Sequence, residues 1–269
     1  LTFEITLIKM KNQPKNNSST PLIIIGLVLL VAIGGGWWLY KSSTAPRPPR
    51  ANTNTNTTKP ANDDGVQRYM TAPPGAQPPN MLGSQTATVT VEEFADFQCP
   101  TCAKMHPLAK EIIATYGPRI KFVFRNFPLN IPAHDKAYDA AVAAEAAREQ
   151  GKFWDMHQQL FTNQQTWTTS TDFRKVLEEY AQKIGLDVEK FKNDMAGMSA
   201  KTRVDADLQR GRSVGVGSTP TFFVNGKIVA FEQMTSEGMR AIIDAELQKA
   251  QTGNQTAPAA NTANTSTNK

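Results

Sequence analysis

Cys99 and Cys102, the only cysteines of the chain, enclose Pro100 and Thr101 where a strand-forming run meets a helix-forming one. Thr86 to Phe97 (TATVTVEEFADF) is rich in β-branched and aromatic residues and reads as a strand. After Cys102, AKMHPLAKEIIATYG has helical spacing and closes on Gly117. Pro100 suits the first helical position, where a missing N–H costs nothing, and Pro107 is expected to kink the same helix. A cysteine at such a helix start faces unsatisfied N–H groups and the positive end of the macrodipole, both of which favour the thiolate. Cys102, one turn further in, is close enough to form a short-range disulfide and more enclosed. Cys99 is therefore expected to attack, and Cys102 to resolve the mixed disulfide. A disulfide-rich scaffold is excluded. Half of a zinc site and an inert structural disulfide stay open. Zinc needs about four ligands, however, and none of His106, His134 and His157 has a convincing spacing.

Arg119 to Phe127 (RIKFVFRNF) alternates cleanly as a second strand. From Ala133 to about Val214 the chain reads as a helical block. Its segments are AHDKAYDAAVAAEAAREQ, KFWDMHQQLFTN, FRKVLEEYAQKIG, VEKFKNDM and SAKTRVDADLQRGRSV, with capping signals at Asp172 and Asp187. TFFV, Asn225-Gly226 and KIVA then form a two-residue hairpin, and Met234 to Ala250 closes as an amphipathic helix. The order β-α-β, helical insertion, β-β-α is an α/β thioredoxin architecture with an inserted helical domain at about 133–214. Phe94, Phe97, Phe122, Phe124, Phe222 and Phe223 are its expected core.

The run VTVEEFADFQCPTCAKMHP, the helical insert and GVGSTPTFFVNGK together resemble the DsbA-like thioredoxin family of extracytoplasmic thiol oxidoreductases, over roughly residues 81–250. The resemblance implies a thiol:disulfide oxidoreductase whose only redox group is its cysteine pair, with no cofactor and no metal. It implies that Pro220 is cis and lies beside that pair, and that Thr219 offers backbone groups to an extended substrate peptide. It also maps a buried acid onto Glu93, six residues before Cys99, as a proton shuttle for Cys102 with a pKa raised by desolvation. Adjacent Glu92 is expected to be a solvated strand carboxylate and Asp96 a turn or surface acid. His106 is expected to be an ordinary helix neighbour, and His134 and His157 structural or surface residues.

The flanks differ in composition. Leu22 to Tyr40 is a run of 19 uncharged residues, enough for a helix of roughly 28 Å, close to the ~30 Å of a bilayer core. Trp37, Trp38 and Tyr40 crowd one end of it, as interfacial aromatics do. It reads as a single transmembrane anchor, the alternative being a cleaved signal peptide. Residues 1–21 are then a cytoplasmic segment, although Met10 heads a better start than Leu1. Residues 41–80, rich in Pro, Thr and Asn, read as a disordered linker, and 251–269 as a disordered tail. The net charge of +5 resides in residues 1–80, whereas 81–250 carry 20 basic against 21 acidic residues. A nucleic-acid-binding domain is therefore not expected.

Disulfide donation belongs in oxidising compartments. The expected localisation is the bacterial cell membrane, single-pass, with the catalytic domain outside the cytoplasm. The expected partners are exported proteins with thiols and, as the family implies, a quinone-linked membrane partner that reoxidises a monomeric enzyme. Two other functions remain open. One is a reductase or isomerase, although isomerases of this fold carry a folded dimerisation domain where this chain has its linker. The other is a non-catalytic module that binds an exported client.

Overall fold

The structure, a computed structural model, describes residues 63–255. The expected anchor at 22–40, the first part of the expected linker and the tail beyond 255 lie outside the described residues. Among the described residues no helix is long and apolar enough to cross a membrane.

Strands β1 (Asn80–Gly83), β2 (Val89–Ala95), β3 (Ile120–Asn126), β4 (Thr221–Val224) and β5 (Lys227–Ile228) form one sheet in the order β1-β3-β2-β4-β5. β2 lies at its centre, parallel to β3 and antiparallel to β4, while β1 and β5 add antiparallel edges. Strand periodicity sorts β2 between two layers. Val89, Val91, Glu93 and Ala95 share a face with Phe122 and Phe124 of β3 and with Phe222 and Val224 of β4. That face meets helices α2 (Pro100–Tyr116) and α9 (Ser236–Gln255) in the larger core. Phe94 and Phe223 point the other way, into a smaller core with Phe127, Val214 and Val216. Helix α1 (Asp63–Thr71) and helix α8 (Met198–Val214) cover this second side through Tyr69 and Leu208.

Between β3 and β4 run α3 (Ala137–Arg148), α4 (Phe153–Thr162), α5 (Gln164–Thr168), α6 (Phe173–Lys183), α7 (Val188–Ala196) and α8. The alanine stripe of α3 is buried from Ala140 to Ala147, and its small side chains let α4, α7 and α8 pack closely around it. Asn225 (φ 47°) and Gly226 (φ 78°) make the left-handed turn that a two-residue hairpin requires. Pro107 lies inside α2, which runs unbroken from Pro100 to Tyr116.

Four expectations need correction. The ordered domain starts before residue 81: α1 and the first residue of β1, Asn80, lie in the stretch expected to be linker. Its proline-rich backbone has free carbonyls, and three buried arginines take them. Arg125 donates to the carbonyls of Ala76 (3.0 Å) and Pro74 (2.9 Å), Arg203 to those of Gln77 (2.9 Å) and Pro78 (3.0 Å), and Arg210 to that of Pro73 (3.0 Å). At the other end, α9 continues to Gln255 instead of stopping at Ala250. The insert contains a further short helix, α5, because buried Trp167 anchors it by donating to the Leu160 carbonyl at 2.7 Å. Finally, β5 stops at Ile228, and Val229 turns inward to the core.

Candidate active site

Cys99 is the N-cap of α2, in extended backbone conformation with Pro100 as the first helical residue. No acidic side chain occupies the first turn, so nothing there opposes the positive end of the helix. Both cysteines are free thiols; Cys99 is 7% exposed and Cys102 fully buried. The register Phe94↔Thr221 between antiparallel β2 and β4 carries the residues before Thr221 alongside those that follow β2. The Cys99 thiol accordingly donates to the Thr219 carbonyl at 3.5 Å, and the Thr219–Pro220 bond is cis. Thr221 braces this loop by donating its hydroxyl to the Ser218 carbonyl at 2.7 Å. Beside it opens a cleft of about 340 Å³ lined by Pro220, Ile228, Phe231 and Met234, with Ile228 and Phe231 exposed.

The two thiols are polarised in opposite senses. A hydrogen bond from Cys102, joined by the Thr219 side chain and the amides of Cys102 and Thr101, holds Cys99 down to about 5 against the opposing cost of burial. Burial, and then the neighbouring Cys99, push the Cys102 thiol up. At neutral pH Cys99 is therefore the ionised thiol of the pair and Cys102 the protonated one.

Glu93 sits in the apolar layer that also holds Cys102, and it is 2% exposed. Its carboxyl has no hydrogen-bond or ion-pair partner among the described residues, and burial pushes its pKa up to about 8. Glu92 is not the solvated carboxylate expected. Strand alternation turns it to the opposite face, where it is 1% exposed and takes Arg125 (2.7 Å) and Arg210 (2.8 Å). Both guanidiniums hold its pKa below the usual carboxylate range despite burial.

Asp96 is buried rather than superficial. Its Oδ1 accepts from the Gln98 amide at 2.7 Å; its Oδ2 accepts from the Leu129 amide at 2.9 Å and pairs with His134 Nδ1 at 2.7 Å. His134 is thus a structural partner, and His157 is buried among aromatic rings. His106 is tied to α4, through Gln158 at 3.1 Å and by stacking on Phe161.

Two glutamines were missed by sequence reasoning. Gln98 Nε2 donates to Asp135 at 3.0 Å, and its Oε1 accepts from the Lys136 amide at 2.8 Å. Gln164, from α5, donates to the carbonyls of Phe97 (2.7 Å) and Cys99 (2.9 Å). Together they clamp the loop that delivers Cys99 to its helix. Neither glutamine stands in a pattern that periodicity could detect.

Residues 76–245 match the family model described as thioredoxin. BdbD of Bacillus subtilis in its oxidised form superposes with a TM-score of 0.57 at 24% identity, covering 66% of this chain and 98% of that one. The thiol-disulfide exchange protein alpha-DsbA2 of Wolbachia pipientis gives 0.54 at 20%, covering 68% and 94%. A thioredoxin-like oxidoreductase of Silicibacter pomeroyi DSS-3 gives 0.51 at 25%, covering 73% and 99%. The chain belongs to the thioredoxin family. Among curated proteins, this family member is 39% identical over 150 residues to the Na(+)/H(+) antiporter NhaA 1 of Mycolicibacterium gilvum, covering 55% of the chain and 23% of the antiporter. NhaA 3 of Salinispora tropica matches at 37% over 148 residues, covering 55% and 22%. The chain spans less than a quarter of the length of these relatives, and the antiporter name describes those longer proteins.

Proposed function

We propose that this thiol–disulfide oxidoreductase donates disulfides to exported proteins on the outer side of a bacterial cell membrane, held there by the apolar run at residues 22–40. The observation that carries the reading is the polarisation of the pair, with Cys99 held down to about 5 while Cys102 is pushed up. In the oxidised enzyme a substrate thiolate attacks the Cys99 sulfur. The Cys99–Cys102 bond breaks, and Cys102 leaves with the electron pair and takes a proton from Glu93. A second substrate thiolate then attacks the substrate sulfur of the mixed disulfide and expels Cys99. A low leaving-group pKa speeds that expulsion. Two electrons have passed from the substrate dithiol to the enzyme, which ends as Cys99 thiolate and Cys102 thiol. The Thr219 backbone beside Cys99 pairs with the extended substrate. A quinone-linked membrane partner returns the pair to the disulfide, and tethering raises its effective concentration.

The test is oxidation of a dithiol peptide by the oxidised chain, beside insulin reduction and the reduction potential of the pair. A nucleophile near 5, against about 7 in thioredoxin, shifts the potential upward by roughly 60 mV. Cys99→Ala should abolish exchange. Cys102→Ser should accumulate mixed disulfides on Cys99, identified by mass spectrometry. A thioredoxin-like potential with fast insulin reduction would make the enzyme a reductase, and no exchange at all would leave a client-binding module.

A further inference from the structure

The peptide planes between Phe97 and Pro100 carry Cys99 from the end of β2 to the start of α2. Asp96 holds the planes that enter Gln98 and Cys99 by their N–H groups. Its Oδ1 accepts from the Gln98 amide at 2.7 Å, and its carbonyl accepts from the Cys99 amide at 3.1 Å. Pro100 brings no N–H to the next plane, which can be hydrogen-bonded only through the Cys99 carbonyl. Gln164 Nε2 donates one hydrogen to this carbonyl at 2.9 Å and the other to the Phe97 carbonyl at 2.7 Å. Ala103 adds the first helical bond to the Cys99 carbonyl, at a longer 3.2 Å. Among the described residues the buried Phe97 carbonyl has no donor besides Gln164.

Holding the Cys99 carbonyl fixes the ψ angle of Cys99, which is 120°. That angle sets where the Cys99 sulfur stands relative to the amides of Thr101 and Cys102, which help to hold its thiolate. A plane free to rotate would turn those amides off the sulfur. Gln164 is not needed to anchor its own helix. Trp167 does that, buried, donating to the Leu160 carbonyl at 2.7 Å and stacking on Phe173 with ring centroids 5.0 Å apart. Both hydrogens of the Gln164 amide therefore serve the redox segment. We propose that Gln164 is a positioning residue for thiol exchange, an arm of the helical insert that locks the peptide plane between Cys99 and Pro100 and so sets the redox equilibrium of the pair. The plane matters to Cys99 whether the pair gives or takes electrons, so each variant is compared with the unaltered full chain, be that chain an oxidant or a reductase.

Gln164→Met keeps the length of the side chain and removes both donors. The readings are the pH titration of the thiolate's ultraviolet absorbance in the reduced full chain, and the equilibrium of the pair with glutathione. One misaimed amide is worth about tenfold, so Gln164→Met should raise the midpoint of Cys99 ionisation by about one pH unit and move the glutathione equilibrium about tenfold toward the disulfide, roughly 30 mV. Gln164→Glu has the same shape but turns carboxylate oxygens on two carbonyls, and it should shift both readings at least as far. Gln165→Met, at the exposed neighbouring position, should move neither. A Gln164→Met chain that melts lower while both readings stay in place would make Gln164 a structural clamp and overturn the proposal, as would no change at all. Should that chain not fold, Gln164→Asn, whose amide is one methylene too short to span both carbonyls, must show the same two shifts, and unshifted readings overturn the proposal equally.

Discussion

Glu92 and Glu93 are chemically identical neighbours with opposite environments, and the single step of strand alternation between them accounts for the difference. Glu92 is ionised between two arginines, so Glu92→Ala would leave Arg210 without a carboxylate and Arg125 with Asp207 alone. The expected loss is about 3–5 kcal/mol in urea unfolding, with exchange rates of the folded fraction unchanged. Glu93 carries no countercharge. Its folded pKa of about 8 lies above the unfolded value, so its contribution is fully present at acid pH and is lost as pH rises through 8. At pH 7 the unfolded chain is ionised there and the folded one is not, a penalty of about 3 kcal/mol. Glu93→Gln should therefore stabilise the protein at pH 7 by about that amount and change little near pH 4. The same substitution should slow thiol exchange by about a hundredfold, because the transferable proton is gone. A variant that neither gains stability at pH 7 nor exchanges more slowly would make Glu93 an inert core residue.

At the scale of elements, the stretch before β1 works as a strap. Its carbonyls are taken by Arg125, Arg203 and Arg210, while the Ala76 amide donates to Asp207 at 2.8 Å. Hydrogen bonds to charged groups contribute about 1.5–3 kcal/mol each. A chain cut to begin at Met81 loses all of them and leaves buried guanidiniums short of acceptors. Compared with a chain beginning at Asp63, it should melt about 20 °C lower or more by calorimetry, at roughly 2–4 °C per kcal/mol for a domain of this size. Coincident melting curves would show that the strap lies on the surface without stabilising it. The clamp on the catalytic loop has the same character: Gln164 reaches Cys99 from a helix 65 residues away, so the insert helps to hold the redox pair in place.

For the whole molecule, the pair links redox state to stability. Cys99 has a folded pKa depressed to about 5, so the stability it adds to the reduced protein is fully present above the ordinary thiol range and is lost as pH falls through 5. The disulfide form has no such thiolate. At pH 7 the reduced protein should be more stable than the oxidised one by about 3 kcal/mol. The gap in Tm should narrow below pH 6 and close near pH 4. Glu93 is present in both forms, so the difference between them isolates the cysteine. An oxidised form that melts higher at pH 7 would remove the basis for disulfide donation.

What the residues alone determined is local. The strand-to-helix junction at Cys99, the alternation of RIKFVFRNF and the Asn225-Gly226 hairpin each depend on neighbours a few positions away, and the structure contains all three. The alanine-rich stretch announced a closely packed helix for the same reason. Tertiary structure decided which acids are buried and where the domain begins. A proline-rich segment reads as linker because its side chains bury little, yet Arg210 reaches the Pro73 carbonyl across 137 residues. Asp96 looked superficial because its partners, the Leu129 amide and His134, follow a strand and a helix later. Backbone carbonyls and amides are the same at every position, so composition carries no mark of which ones a distant side chain will take. Only the folded chain, by bringing those groups within about 3 Å, selects them.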